Sequence, residues 1–308
     1  MASQGARSTV IVVTWRGRAH LAECLAALAA QDRPHATIVL DNASGDGTAE
    51  LLADRPERVL RLSRNRGYAG GLAVALKQVR TPFVAWCNDD AQPAPDWLGR
   101  LEDALDADPA AAAVGSLLAD PDGTISSAGV RLTADGHGAD LTTLTEPAFG
   151  FCGGAVLLRT GALAGIGGVP GGFFCYYEDT DTAWRLRLAG WRVDQVPTAR
   201  VTHLHGASSR PGSWRFHRWN ERNRLLMLVR CAPGLVAVRE LVRFAALTAV
   251  LPVRRLANPP KNFTVPLRLT VLAEVFTRLP AALVARFRIG RTATVSRAAV
   301  WRAWAGRG

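Results

Sequence analysis

The stretch Phe83–Pro93, FVAWCNDDAQP, constrains this chain most. Phe83–Cys87 is an apolar run of strand length that stops abruptly at Asn88-Asp89-Asp90. Pro93 and Pro95 oppose continuation of the strand, and Asp96 stands where the next helix would take its cap. Two neighbouring carboxylates are costly unless something positive meets them. Open α/β sheets bind ligands at the carboxyl ends of their strands, and a magnesium or manganese ion holding a diphosphate would supply that charge there. The same acids could instead cap the following helix and face water. The stretch alone leaves both open.

The preceding residues repeat the pattern. Thr9–Thr14 is a β-branched strand, and Leu21, Cys24, Leu25 and Leu28 have helical spacing. Ala36–Leu40 is a second strand, ending in the polar turn Asp41–Thr48, with Thr48 placed to cap a helix. Val59–Leu62 is a third, and Arg64–Gly67 turns the chain into a helix over Tyr68–Val79. Four strands alternating with helices imply an α/β fold with a mostly parallel, doubly wound sheet. Three polar tips then share one edge: Thr14, Asp41-Asn42 and Asn88–Asp90. Asp41 alone would be an ordinary Asx turn, whereas three tips in register make a nucleotide crevice.

Beyond a helix near Asp96–Leu105 and a strand at Ala111–Leu118, the alternation loosens into loops or short hairpins over Asp120–Pro147. Phe149–Arg159 joins a Gly-Gly turn to a strand, and Glu178-Asp179-Thr180-Asp181 opens a helix. Acids suit the dipole of a helix's first turn, yet three crowd into four positions behind an aromatic run. Arg192–Val196 and Arg200–Thr202 read as edge strands, the second delivering His203 and His205. Alternate positions point to opposite faces, so one of the two histidines at most is a ligand.

The 308 residues accommodate one large α/β domain with an appendage, or two modest domains. Five cysteines without a CxxC pair imply reduced thiols, and the amino terminus lacks a signal peptide's apolar core. No window of eighteen uncharged apolar residues predicts a membrane-spanning helix. A cytoplasmic protein is the expectation, either free or at the inner face of the cell membrane. Charge is distributed unevenly. Residues 1–208 carry 18 Lys/Arg against 23 Asp/Glu, while 209–308 carry 19 against 3. That divides the chain into a mildly acidic body, 1–208, and a basic helical region, 209–308. In Leu235–Leu251 and Leu267–Phe287, arginines punctuate amphipathic helices. These either lie on an anionic membrane or pack on the body with their arginines in water. No helix-turn-helix, zinc spacing or RNP-like strand points to nucleic acid. Oligomeric state is not legible.

Six segments, in order from about Thr9 to Ser209, resemble the family 2 glycosyltransferases. They are VIVVTWRGRAHLAECLAAL, IVLDNASGDGT, RNRGYAGG, WCNDDAQP, FCYYEDTDTAWRLRLAGWR and VTHLHGASS. The resemblance implies a GT-A fold and an inverting, Mg²⁺- or Mn²⁺-dependent transfer of a sugar from a nucleotide-diphosphate donor. It places Thr14, Asp41 and Asn65 around the nucleotide, Asp89 near the ribose, and Asp90 with His203 on the metal, His205 being the fallback. Gly153 and Gly154 lie by the donor sugar, and Asp179 is the general base with Glu178 beside it. The chain departs from the family at Pro170 and Gly171, where acids are common. Similar bacterial members are rhamnosyltransferase-like and build lipid-linked or cell-envelope glycans, so the acceptor is expected to be lipid-linked, a glycan or a small molecule.

Chemistry agrees with that division. The departing diphosphate needs its charge offset, and the acceptor hydroxyl needs a base. A single displacement needs no carboxylate nucleophile beneath the sugar. A sugar nucleotidyltransferase would want a richer glycine loop than Thr14–Arg18, and a basic adaptor without catalysis would leave the acidic tips without purpose.

Overall fold

The computed structural model describes residues 5–204, 212–253 and 261–306. The first half alternates as its periodicity requires: β1 (Ser8–Thr14), α1 (Leu21–Ala29), β2 (His35–Asp41), α2 (Thr48–Leu52), β3 (Arg58–Arg61), α3 (Gly67–Ala75) and β4 (Phe83–Asn88). There follow β5 (Ala91–Pro93), α4 (Trp97–Ala107), β6 (Ala111–Ala119), β7 (Ile125–Ser127), β8 (Val130–Leu132) and β9 (Gly138–Asp140). The body closes with β10 (Ala155–Arg159), α5 (Thr160–Gly165), α6 (Glu178–Leu188) and β11 (Arg192–His203). The basic region supplies α7 (Trp214–Cys231), α8 (Gly234–Val250), α9 (Val265–Thr292) and α10 (Arg297–Trp304).

Among the described residues the main sheet runs β3-β2-β1-β4-β10-β6-β11-β5, with β7 on β6. Strands β1 to β4 are parallel, and β6 pairs parallel with β11. β10 is antiparallel to both its neighbours. All seven residues of β1 are buried, as a strand covered on both faces must be. Its side chains alternate between two cores. Val10 and Val12 belong with Leu25 of α1 and Leu98 of α4, whereas Ile11 and Val13 belong with Leu72 of α3 and Trp184 of α6. The second core continues through Leu225–Val229 of α7 into Phe244 of α8 and Val271 of α9. The basic helices thus share a core with the sheet.

Local expectations needed correction at four places. Ala91–Pro93 continues as a short strand, antiparallel to β11 at the end of the sheet, an edge position that tolerates proline. The two expected edge strands are one, β11, with a register irregularity between Val196 and Arg200, and its last residues lie between β6 and β5. Asp96 holds the N-cap position of α4, but its carboxylate accepts from Arg100 Nε (2.7 Å) and takes no cap bond. Thr48 is the first residue of α2, with Gly47 at the N-cap and φ of 89°. Its hydroxyl donates to Asp46 Oδ1 (2.6 Å).

Candidate active site

Parallel pairing sets the strand tips at one level: Thr14 lies opposite Asp41, Val13 opposite Asn88, and Asp41 opposite Arg61. Asp41 is buried, and its Oδ1 accepts the Ser44 amide (2.8 Å), the Asx-like turn expected of it alone. Its Oδ2 has no hydrogen bond and lies 3.3 Å from Arg61 Nε. Asn42 ties this tip to α3, donating to the Gly67 carbonyl (2.9 Å) and accepting the Arg66 amide (2.8 Å). Gly67 has φ of 72°, and a Cβ there would lie 2.1 Å from the Phe174 carbonyl oxygen. Glycine alone fits that approach. Asn65 Oδ1 takes the Gly67 amide (2.7 Å), and the residue lines a groove with Arg64, Arg66 and Lys77.

At the tip of β4, Asp89 and Asp90 are buried and have different neighbours. Asp89 Oδ2 has no hydrogen bond and faces His20 Nε2 at 3.6 Å. The Asp89 carboxylate raises the His20 pKa above its ordinary value, against the opposing effect of burial. A Cβ at Gly17 would fall 2.2 Å from Thr14 Oγ1 and 2.5 Å from Asp89 Oδ2. Gly17 therefore leaves the space that these two oxygens enclose. Asp90 Oδ1 lies 3.0 Å from His203 Nε2, which the pairing of Ala91 with His203 brings across the sheet. Asn88 Nδ2 is 3.2 Å from the same ring nitrogen. That nitrogen either donates to Asp90 or accepts from Asn88, according to its tautomer. Among the described residues no group of three or more His, Cys, Asp or Glu is arranged to hold a metal. Asp90 and His203 offer one oxygen and one nitrogen side by side, a partial donor set that phosphate oxygens would complete. His205 lies outside the described residues.

The second acidic group opens α6. Asp179 Oδ2 accepts the Gly153 amide (3.0 Å), and Oδ1 accepts the Thr180 hydroxyl (3.0 Å). Burial pushes the Asp179 carboxyl up from its ordinary pKa despite these donors. Glu178 is raised further, by burial and then by the charge of Asp179, and its buried Oε2 has no hydrogen bond. The Tyr68 hydroxyl donates to the Gly153 carbonyl (2.7 Å), and the Asn88 amide to the Gly154 carbonyl (2.9 Å). The glycine pair thus joins α3, the tip of β4 and the start of α6. Asp181 belongs elsewhere. It is fully buried between Arg185 Nε (2.6 Å) and Arg230 Nε (2.7 Å). Burial alone would raise its pKa, but the two guanidiniums outweigh it and hold the carboxylate below its usual range.

Sequence reasoning missed His20 and, more consequentially, Asn223. The segment before α6 is strained: Phe174, Tyr176 and Tyr177 have φ of 71°, 71° and 69°. From α7, Asn223 Nδ2 donates to the carbonyls of Phe173 (3.0 Å), Cys175 (2.8 Å) and Tyr176 (2.8 Å). Arg222 reaches the same Phe173 carbonyl (2.5 Å) and braces Asn223 Oδ1 (2.9 Å). An asparagine just ahead of the apolar run Leu225–Val229 was the available signal. Asn223→Ala would leave the Cys175 and Tyr176 carbonyls without this donor, while Arg222 still reaches Phe173, at about 1–3 kcal/mol for a buried polar group left unpaired. A lowered unfolding midpoint together with a kcat reduced about tenfold or more is expected, since small misplacements of reacting groups cost up to about 10²-fold. A kcat equal to that of the parent would show that the segment holds itself.

Residues 9–167 match the family described as Glycosyl transferase family 2. The chain belongs to that family. A relative from Mycobacterium tuberculosis (strain CDC 1551 / Oshkosh), N-acetylglucosaminyl-diphospho-decaprenol L-rhamnosyltransferase, is 29% identical over 241 residues, 66% of this chain and 78% of its own. Among solved structures, GalNAc-T7 with UDP, GalNAc and Mn²⁺ superposes with a TM-score of 0.63 at 13% identity, over 92% of this chain and 58% of that one. Mannosyltransferase PcManGT from Pyrobaculum calidifontis, with GDP-Man and Mn²⁺, gives 0.52 at 22% identity, over 96% of this chain and 79% of that one. At such identities these two show the fold, GT-A, and in this chain the helical carboxyl-terminal region is α7–α10. This family 2 protein is a glycosyltransferase, similar to bacterial rhamnosyltransferases. Membership of the family removes the nucleotidyltransferase and the adaptor without catalysis from consideration.

Proposed function

We propose that this glycosyltransferase is inverting and metal-dependent, and moves a sugar, rhamnose foremost, from a UDP- or dTDP-linked donor. The acceptor is a hydroxyl of a sugar carried on a polyprenyl diphosphate at the inner face of the membrane. The observation that carries the proposal is a set of buried side-chain atoms without hydrogen bonds around the crevice: Thr14 Oγ1, Asp41 Oδ2, Asp89 Oδ2 and Glu178 Oε2. Buried polar atoms want partners, and a nucleotide sugar with its acceptor brings hydroxyls, base nitrogens and a cation. The Mycobacterium tuberculosis relative, by its name, acts on a diphospho-decaprenol acceptor and transfers rhamnose.

In this scheme Thr14, Asp41 and Asn65 bind the nucleotide, and Asp89 takes the ribose. Asp90 and His203 hold Mg²⁺ or Mn²⁺, whose chemistry when bound is to offset charge on the departing diphosphate. Gly153 and Gly154 let the donor sugar approach the backbone. Asp179 accepts the proton of the acceptor hydroxyl, and its raised pKa strengthens it as a base. Burial, and then the charge of Asp179, push the Glu178 pKa up and so disfavour a second negative charge beside the base.

Thermal shift with UDP, dTDP and GDP, each with and without Mn²⁺, followed by donor hydrolysis over a panel of nucleotide sugars, tests this. A rise that needs both metal and diphosphate is expected, largest for the nucleotide of the true donor. Asp90→Ala should remove the metal-dependent part and abolish transfer while the fold persists. Near-parental transfer by Asp90→Ala in Mn²⁺ would overturn the metal assignment.

A further inference from the structure

The basic region holds three acids, Glu221, Glu240 and Glu274, against nineteen Lys/Arg. All three are turned inward onto arginines. Glu221 pairs with Arg224 (3.1 Å), Glu240 with Arg243 (2.9 Å), and Glu274 with Arg218 and Arg222. The outward faces of α8 and α9 therefore carry no exposed acid. On α9 the stripe Leu269, Phe276, Leu283 and Phe287 is exposed by 55%, 76%, 51% and 68%. Spacings of seven, seven and four put them on one face of the helix. Exposed Arg288 and Arg291 lie at its end, and Leu283, Phe287 and Arg291 share a pocket with Arg286 and Arg297. Leu235, Val238 and Val242 form a like stripe on α8 beside Arg239 and Arg243, exposed by 87%, 58% and 60%.

Isolated exposed leucines need no explanation, but a continuous stripe of phenylalanine and leucine on a 28-residue helix does. Among the described residues no helix is long and apolar enough to cross a membrane. A second copy of the chain would bring like charges together around the apolar contact. We infer that the outer faces of α8 and α9 dock on an anionic lipid bilayer, the phenylalanines entering the acyl boundary and the arginines meeting lipid phosphates. This extends the proposed function by naming the surface on which it works, and it rests on that reading only for its purpose.

The test uses the full chain without donor or acceptor, so it stands or falls separately from transfer. Sedimentation with phosphatidylglycerol vesicles should exceed that with phosphatidylcholine, and should weaken as salt screens charges beyond about 8 Å at physiological ionic strength. Arg288→Gln with Arg291→Gln should lower the partition coefficient about thirtyfold, at the usual contribution of a basic residue near an anionic surface. Phe276→Asp with Phe287→Asp should abolish binding while circular dichroism stays unchanged. Equal binding to both lipids regardless of salt would overturn the inference. So would binding that survives the paired phenylalanine changes, or a concentration-dependent dimer that those changes dissolve. A chain that transfers sugar to a detergent-solubilised acceptor yet ignores vesicles would refute the docking and leave the chemistry standing.

Discussion

Asp179→Asn is expected to lower kcat by about 10²–10⁴-fold, the usual worth of a positioned general base. The amide is nearly isosteric, and its oxygen can still accept the Gly153 amide, which holds the native carboxylate at 3.0 Å. Nucleotide affinity should therefore stay near that of the parent, which assigns the loss to the transition state. Glu178→Gln should cost much less, because Glu178 is assigned no proton transfer and its burial already disfavours the charged form that the amide removes. The pH profile provides a second readout. A base must be deprotonated to act, and burial raises the Asp179 pKa, so the acid limb of kcat/KM should lie above the ordinary aspartate value of about 3.9. Full activity in Asp179→Asn with loss in Glu178→Gln would shift the base by one residue.

Asp181→Asn, two positions along, should instead lower stability, by about 3–5 kcal/mol, the usual result of removing one partner from a buried ion pair. The neutral amide would leave Arg185 and Arg230 without the carboxylate between them, and the Arg230 pair is a bond that holds α7 to α6 here. The sign of the pH dependence follows from the depressed pKa. The contribution of Asp181 is complete above its unfolded value of about 3.9 and is lost as pH falls through the lower native one. Denaturant unfolding at neutral and acid pH measures both, and the gap between parent and variant should narrow on the acid side. A gap that is absent at neutral pH would mean that water replaces the carboxylate at no cost. The kcat of the folded variant should change far less than in Asp179→Asn.

These two aspartates mark the limit of what local sequence can distinguish. Glu178, Asp179 and Asp181 are alike as acids on the first turn of a helix. They are separated only by what reaches them: the amide of Gly153 for Asp179, and the guanidinium of Arg230 for Asp181. His203 likewise meets Asp90 across 113 positions of sequence. Asn223 reaches the strained segment before α6 from a helix whose importance its own periodicity does not announce.

The alternation of apolar runs and polar tips made the parallel half of the sheet legible, because period two, period 3.6 and turn chemistry are local properties of the chain. The sequence also put Thr14, Asp41 and Asp89-Asp90 at strand ends, and neighbouring parallel strands in register bring such ends to one edge. The inverted run of β10, the joining of two expected strands into β11, and the pairing of β5 were decided by tertiary structure. Strand direction and partner depend on which backbone groups and apolar faces find each other over long separations. The acids that open α6 are separated by the same encounters, since burial and charged neighbours, both three-dimensional facts, raise the pKa of Asp179 and lower that of Asp181.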